Sequence, residues 1–198
     1  MSLDEYLTIE EQSPVKHEFV AGEVYAMSGV TFRHGRIAFN LARHLHSAAR
    51  ARACAIVLSE VKLRAAADRV YYPDVMLACG KATDVELVVS EPSLIAEVTS
   101  PTTRATDRRE KLDAYLAIAS LRTYLVIDQR RRHVLCYTRD AQGEWLREEL
   151  QGDGEIAIPF LDARLTLDEI YEDVTLPPLS VKEGEAWDEA EWADYEAE

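Results

Sequence analysis

The stretch Ser93-Leu-Ile-Ala-Glu-Val-Thr-Ser100 decides the fold that this sequence predicts. Its apolar members are Leu94, Ile95, Ala96 and Val98. Because they include adjacent positions, the stretch is typical of a central strand that is buried on both faces. Glu97 places a carboxylate in this run, and an unpaired ionised carboxylate is costly to bury. We therefore expect a cation beside Glu97, with a divalent metal as the strongest candidate.

The segments around this strand predict a parallel crossover. Val70–Leu77 has the pattern of the preceding strand, and the next segment, from an N-cap near Asp107 to about Ala119, has the pattern of a helix. Arg122–Asp128 is again strand-like. A strand, a helix and a second strand in this order predict a right-handed βαβ unit around Glu97.

The N-terminal third adds a helix, a hairpin and a longer helix. A capping box at Ser2 predicts a helix to about Ile9, and alternation around Ala21-Gly22 predicts a hairpin over Lys16–Met27. An apolar stripe predicts an amphipathic helix over about Arg33–Arg52, followed by a strand over Ala55–Arg64.

The C-terminal part extends the sheet. The Arg122–Asp128 strand and His133–Thr138 predict a second hairpin, Trp145–Leu150 an edge strand, and Leu165–Tyr171 a short helix. The whole order predicts an α/β fold with a mixed central β-sheet flanked by helices and an N-terminal β-hairpin.

Length and charge predict one domain with an acidic tail. Residues 1–178 are long enough for one substantial core. Residues 179–198 hold eight acids against Lys182, and we expect them to be disordered. The net charge of −14 argues against a general nucleic-acid binder, although arginines cluster at residues 104–109 and 130–132. No apolar run is long enough to span a membrane.

The three cysteines, Cys54, Cys79 and Cys136, are widely spaced and lie in apolar stretches. We interpret them as reduced, buried thiols and expect neither a disulfide framework nor a zinc site. The prediction that follows is a cytoplasmic protein.

Three side chains could form a site for phosphodiester hydrolysis. Asp74 and Glu97 supply carboxylates, and Lys111 supplies a cation. Mg²⁺ and Mn²⁺ prefer oxygen ligands, and a bound divalent ion lowers the pKa of a coordinated water. A nearby lysine can orient that water or stabilise the charged transition state.

An ordered set of motifs resembles the Uma-type family of bacterial restriction-endonuclease-like proteins, within the PD-(D/E)XK nuclease superfamily. The set consists of Tyr72-Pro-Asp-Val75, Glu97-Val-Thr-Ser-Pro-Thr-Thr103, Asp107, Lys111, Tyr115 and Tyr124-Leu-Val-Ile-Asp128. The likeness runs from about Tyr6 to Tyr171. It implies a restriction-endonuclease-like core that uses Mg²⁺ or Mn²⁺ to cut nucleic acid, with DNA as the expected partner.

The resemblance also implies roles for single residues. Asp74, Glu97 and the backbone carbonyl of Val98 would bind the metal. The superfamily lysine stands two residues after the acid, where this chain has Thr99, so Lys111 on the following helix would replace it. Two further residues match family positions near the site: Glu18 would be an auxiliary metal ligand or base, and His34 would assist at the cleft.

Each site residue has a structural alternative, which for Glu97 is a buried ion pair without a catalytic role. Asp74 could be a strand-edge aspartate, and Lys111 could form a helix salt bridge with Asp107 four residues earlier. Glu18 could be a surface acid of the hairpin, and His34 a core histidine. Glu60-Val-Lys62 contains a second Glu-x-Lys, which we interpret as the solvent-facing side of a strand, with a smaller chance that Glu60 borders the cleft.

Two classes of function remain open at this point, besides a hydrolase of another phosphoester or a nucleotide, which the same ligands would fit. One is a metal-dependent endonuclease, for which a homodimer would suit the cutting of both strands of a duplex. The other is a non-catalytic interaction protein that retains the nuclease fold, which the acidic charge and Thr99 favour.

Overall fold

The computed structural model describes residues 1–80, 87–99 and 105–178 of the chain. The predicted acidic tail lies outside the described residues. The helices are α1 (Leu3–Glu10), α2 (Phe32–Ala51), α3 (Ala105–Leu116) and α4 (Leu167–Ile170). The strands are β1 (His17–Val20), β2 (Glu23–Ala26), β3 (Cys54–Leu58), β4 (Lys62–Ala66), β5 (Arg69–Tyr71), β6 (Val75–Cys79), β7 (Val88–Val89), β8 (Pro92–Thr99), β9 (Thr123–Asp128), β10 (His133–Arg139), β11 (Trp145–Gln151), β12 (Glu155–Ile158) and β13 (Ala163–Thr166).

The predicted N-terminal helix and hairpin are confirmed. The Ser2 hydroxyl accepts a hydrogen bond from the Glu5 N–H, and the Glu5 carboxylate accepts one from the Ser2 N–H, which is the predicted capping box. The hairpin turns at Ala21 and Gly22, whose φ angles of 49° and 92° are left-handed. A two-residue turn with both φ values positive matches the twist of the flanking strands.

The strands form two main sheets. One has five strands in the order β2-β1-β5-β4-β7, and the other has six in the order β11-β10-β9-β8-β6-β3. Strands β12 and β13 pair separately and were not predicted as strands. The chain passes between the main sheets at Ser59–Val61 and at Tyr72–Asp74. The predictions of continuous strands over Ala55–Arg64 and Val70–Leu77 are therefore wrong.

The predicted mixed sheet and βαβ order around Glu97 are confirmed. Strand β8 is buried along its whole length and lies between β6 and β9. It is antiparallel to β6, with Val75 opposite Ala96, and parallel to β9, with Glu97 opposite Val126. Helix α3 connects β8 to β9, but it begins at Ala105, so Asp107 lies inside the helix and not at its cap.

Both faces of the six-stranded sheet are covered, which explains the apolar character of β8 at successive positions. Helix α2 packs on one face with Ile37 and Leu41, next to Leu94 of β8. On the other face, Ile95 packs in one cluster with Tyr115 of α3. Glu97 is two residues after Ile95 in β8, so both side chains point to the face of the sheet that α3 covers.

The interpretation of all three cysteines as reduced thiols is wrong for two of them. Cys54 and Cys79 form a disulfide between β3 and β6, whose register places them directly opposite each other. Pairing of two cysteines 25 residues apart depends on strand register, which their spacing alone does not reveal. Cys136 is free and buried, as predicted. The cysteines thus no longer support a cytoplasmic location.

None of the described helices is both long and apolar enough to cross a membrane.

Candidate active site

Asp74 lies where the chain passes from the five-stranded to the six-stranded sheet. Pro73 stands before it and has no N–H for a strand ladder, which favours a break at this point. One oxygen of Asp74, Oδ2, accepts a hydrogen bond of 2.7 Å from the Val98 N–H. The same oxygen lies 3.1 Å from Nε2 of His34. Asp74 is therefore fixed to β8 on one side and to α2 on the other.

His34 lies in the first turn of α2, and only 8% of it is exposed. The hydroxyl of Thr31, the N-cap, accepts a hydrogen bond from the His34 N–H and sets the start of the helix. Burial lowers the pKa of His34, but the hydrogen bond and charge of Asp74 and the charge of Glu97 outweigh it and raise the pKa above 6.5. His34 Nδ1 is buried and has no hydrogen-bond partner among the described residues.

Glu97 is buried on the α3 side of β8, with 8% of the residue exposed. The hydroxyl of Tyr115 donates a 2.8 Å hydrogen bond to Oε1, and Nζ of Lys111 lies 3.6 Å from the same oxygen. Burial raises the pKa of Glu97 to about 7; the charge of Lys111 opposes this rise, and the charges of Asp74 and Glu18 reinforce it. The Glu97 carboxyl therefore titrates near neutral pH.

Lys111 and Tyr115 reach Glu97 because they are four residues apart on α3, and such residues share one helix face. Lys111 Nζ also lies 2.8 Å from Oε1 of Glu18 and 5.5 Å from the ring centre of Tyr71. The side chain of Asp107 lies outside the described residues, so its predicted salt bridge with Lys111 is not tested. The contacts of Lys111 with Glu18 and Glu97 place its ammonium in the site.

The five predicted catalytic side chains thus belong to one network. His34 contacts Asp74, Lys111 links Glu97 to Glu18, and Asp74 and Glu18 both act on the pKa of Glu97. They come from α2, α3, β1, β8 and the link before β6. Tyr115 was quoted for the family resemblance without a role in the site. Its spacing from Lys111 was the signal that could have revealed one.

The donor chemistry of this network fits a hard divalent cation. Asp74 and Glu97 are carboxylates held near each other, since Asp74 precedes Val75 and Val75 pairs with Ala96 across β6 and β8. Among the described residues, no three His, Cys, Asp or Glu side chains are arranged to hold one ion. Mg²⁺ commonly binds one or two protein carboxylates and completes its shell with water and substrate phosphate. Asp74 and Glu97 therefore provide as many protein carboxylates as a Mg²⁺ site usually has.

A cleft of about 400 Å³ opens beside Asp74 and His34. Residues 27–30, the start of α2 and Ser59-Glu60 also line it. Glu60 is exposed, and its Oε1 lies 2.6 Å from Nζ of Lys16. Glu60 therefore faces solvent, as interpreted from the sequence, and it also borders this cleft, as the smaller alternative had it.

The interpretation of Lys62 as solvent-facing is wrong. Only 8% of Lys62 is exposed, and its ammonium lies 5.9 Å from the ring centre of Tyr72. The long apolar stem of a lysine can pack against a ring while the ammonium stays near the surface. Strand alternation alone could not reveal this arrangement, because it depends on how Tyr72 is placed by the passage between the two sheets.

Comparisons with known proteins agree with this fold. The model of the Uma2 family, described as "Putative restriction endonuclease", matches residues 3–168. An uncharacterized protein of Synechocystis is 38% identical over 162 residues, which are 79% of this chain and 92% of that protein. A second uncharacterized Synechocystis protein is 29% identical over 176 residues, which are 86% of this chain and 91% of that one.

A solved structure has the same fold. It is that of an Anabaena variabilis protein described as "a putative nuclease belonging to DUF820", which matches with a TM-score of 0.73 at 16% identity. The match covers 88% of this chain and 99% of that one. The fold is therefore that of this solved structure, and the family match shows that the chain belongs to the Uma2 family.

Proposed function

We propose that this member of the Uma2 family is a Mg²⁺- or Mn²⁺-dependent endonuclease that hydrolyses phosphodiester bonds of DNA. One observation carries the proposal. Glu97 is buried on a central strand, its pKa is raised to about 7, and it contacts Lys111 while the charges of Asp74 and Glu18 act on it. A buried carboxyl group whose pKa is strongly raised and that contacts a specific cation is a candidate for a functional site. The family and the solved structure of the same fold, both described in terms of nucleases, support this class of chemistry.

In this proposal Asp74, Glu97 and the carbonyl of Val98 hold the metal. A bound ion would supply a water of lowered pKa and neutralise charge on the phosphate. Lys111 orients the water, and Glu18 fixes the Lys111 ammonium through their 2.8 Å contact. His34 orients Asp74 from the opposite side.

The protonation state of Glu97 sets the pH range of this activity. A metal competes with the proton for the carboxylate, because only the deprotonated form is a good ligand. With a pKa of about 7 for Glu97 in the metal-free protein, the proposal predicts an affinity for the metal that rises as the pH increases through neutrality.

A homodimer belongs to the same proposal, whereas the Cys54–Cys79 disulfide argues against a cytoplasmic location. The homodimer is argued from the need to cut two strands and would appear as twice the 22.3 kDa mass of the chain in sedimentation.

A second candidate function is a binding protein that keeps the fold without catalysis. The contacts of Glu97 favour it, because Tyr115 and Lys111 already satisfy that carboxylate without a metal. The net charge of −14 also favours a partner other than the DNA backbone.

Cleavage assays separate the two candidates. Plasmid and single-stranded DNA would be incubated with Mg²⁺ or Mn²⁺ and wild type, Asp74→Asn or Glu97→Gln, with exposed Glu23→Gln as the matched control. The nuclease proposal expects metal-dependent cleavage that falls at least about 100-fold in the two site variants and is unchanged in the control. Folded wild type that does not cut above the level of the site variants would favour the binding protein.

A further inference from the structure

Lys62 is a buried lysine that has no acidic partner. It is the first residue of β4, and only 8% of it is exposed. Among the described residues, none forms a hydrogen bond or an ion pair with its Nζ, which lies 5.9 Å from the ring centre of Tyr72. Lysines are almost never buried unless they are paired. Lys62 therefore lacks an anion that a ligand can supply.

The ammonium of Lys62 can be reached from solvent. The buried side-chain atoms that have no partner in the described part of the chain include Nδ1 of His34 and the hydroxyl of Tyr71, but not Nζ of Lys62. The apolar stem of Lys62 thus packs along Tyr72, while its charged end stays in contact with water. An anion from solvent can bind there.

A second lysine lies at the same ring. Nζ of Lys16 is 5.7 Å from the ring centre of Tyr72. Lys16 has a partner, Oε1 of Glu60 at 2.6 Å, but 79% of the Glu60 side chain is exposed. Exposed ion pairs contribute little to stability because water and salt screen them. A phosphate can therefore replace Glu60 at little cost.

The acid that contacts Tyr72 is engaged elsewhere. Glu10 is buried, and its Oε1 accepts hydrogen bonds from the Tyr72 hydroxyl and the His17 N–H, each of 2.8 Å. Its Oε2 lies 2.9 Å from Nδ1 of His17. Both oxygens of Glu10 thus have partners at the hydroxyl end of the ring, and Glu10 forms an ion pair with neither Lys16 nor Lys62.

Tyr72 connects the two lysines to the candidate active site. Only Pro73 separates it from Asp74, so the Cα atoms of Tyr72 and Asp74 are at most about 7 Å apart. Lys16 and Asp74 also line the same cleft. A phosphate that binds beside the Tyr72 ring therefore lies next to Asp74.

We propose that Lys62 and Lys16 bind a backbone phosphate of the nucleic-acid substrate, next to the phosphodiester bond that is cut. The phosphate supplies the anion that Lys62 lacks and replaces Glu60 as the partner of Lys16. Contacts of this kind fix the register of a nucleic acid on a protein without reading its sequence. This inference rests on the proposed nuclease function, since it places the substrate of that same site.

DNA binding at several salt concentrations tests the role of Lys62. Fluorescence anisotropy would measure the affinity of labelled single-stranded and duplex oligonucleotides in Mg²⁺, with Glu97→Gln as the parent to prevent cutting. Adding Lys62→Met should weaken binding about 10-fold at about 0.1 M salt and reduce the slope of log K against log salt by about 1. Lys62→Arg should retain most of the affinity. Arg64→Gln, at an exposed position of the same strand, is the matched control.

Thermal unfolding separates a lost ligand contact from a damaged fold. Methionine keeps an unbranched apolar stem against Tyr72 and removes only the charge. Lys62→Met should therefore melt within about 3 °C of its parent. Weaker binding with a smaller salt slope in an equally stable protein is the result expected of a phosphate contact.

Glu60 gives an independent test with the opposite sign. Glu60→Gln removes the group that competes with the phosphate for Lys16, so it should tighten binding by roughly 2- to 5-fold. The gain should vanish when Lys16→Met is added. Exposed Glu23→Gln has the same change in net charge and should tighten binding less. A gain in affinity cannot come from a damaged fold, so this test stands even where Lys62→Met does not fold.

The outcomes separate this inference from the proposed function. An unchanged affinity and salt slope in folded Lys62→Met overturns the inference, as does equal tightening by Glu60→Gln and Glu23→Gln. Failure of both DNA forms to bind overturns it too. Metal-dependent cleavage by wild type then decides whether the nuclease function stands without this phosphate site.

Discussion

Replacing Glu97 by glutamine should stabilise the protein at alkaline pH. The pKa of Glu97 rises from 4.5 to about 7 on folding, mainly because the carboxylate is buried. At about 1.4 kcal/mol per pKa unit, ionised Glu97 lowers the free energy of unfolding by about 3 kcal/mol. Glutamine is neutral and of similar shape, and it can still accept the hydrogen bond from Tyr115. Lys111 also contacts Glu18 at 2.8 Å, so we expect it to retain a carboxylate partner in the variant.

The sign of the effect depends on pH. Below 4.5 the carboxyl is protonated in both the folded and the unfolded protein, so the penalty is absent. Between 4.5 and about 7 only the unfolded chain releases the proton, and the stability of wild type falls as the pH increases. Above about 7 the full penalty applies. Glu97→Gln should therefore match wild type near pH 4.5 and exceed it by about 3 kcal/mol at pH 8.

Urea denaturation in EDTA at pH 4.5 and pH 8 measures this difference. Exposed Glu23→Gln is the control and should change the free energy of unfolding by less than about 0.5 kcal/mol at either pH. If Glu97→Gln is no more stable than wild type at pH 8, with an unchanged m-value, the argument from burial is refuted.

Three further predictions concern the metal, Tyr115 and the disulfide. Mn²⁺ at 100 times its dissociation constant should stabilise wild type by about 3 kcal/mol in thermal unfolding and leave Asp74→Asn unchanged; equal stabilisation of both would exclude Asp74 as a ligand. Tyr115→Phe should raise the pKa of Glu97 further, because the Tyr115 hydrogen bond lowers it, and an NMR titration of the carboxyl that gave an unchanged or lower pKa would contradict this. Reducing the Cys54–Cys79 disulfide should lower the free energy of unfolding by about 3 kcal/mol, measured by urea denaturation with and without dithiothreitol, and the Cys54→Ser/Cys79→Ser double variant should not respond to the reductant.

The pattern of burial made the centre of the fold predictable. Strand β8 is apolar at successive positions because both of its faces are buried, and helix α2 has one apolar stripe because only one face packs on the sheet. Glu97 was identifiable because its carboxylate contradicts that periodicity. A residue that departs from a strong local pattern is a good candidate for a functional site.

The parts that could not be predicted depend on contacts between distant segments. Pro73 breaks a run that otherwise resembles one strand, and the chain there changes sheets. The Cys54–Cys79 disulfide depends on the register of two strands. The burial of Lys62 depends on the position of Tyr72. Local patterns contain no information about which sheet a strand will join.

The partner of Lys111 shows the same limit within the site. Its spacing from Asp107 suggested a salt bridge along the helix, which the described side chains do not test, and nothing local indicated its contact with Glu18 on the N-terminal hairpin. Glu18 lies on β1, which pairs with β5 in the five-stranded sheet, and β5 is followed through Tyr72-Pro73-Asp74 by β6 of the larger sheet. Sequence order alone does not bring residue 18 next to residue 111.

The contact between Glu18 and Lys111 also links the five-stranded sheet to the helix that covers Glu97. Glu18 belongs to the five-stranded sheet, and Lys111 lies on the helix that covers the six-stranded sheet at Glu97. A shift of the N-terminal hairpin relative to the larger sheet would move the counterion of Glu97 without displacing Glu97 itself. The pKa of Glu97 therefore depends on the relative position of the two sheets. Substitutions in the N-terminal hairpin would therefore change the pKa of Glu97 without contacting β8.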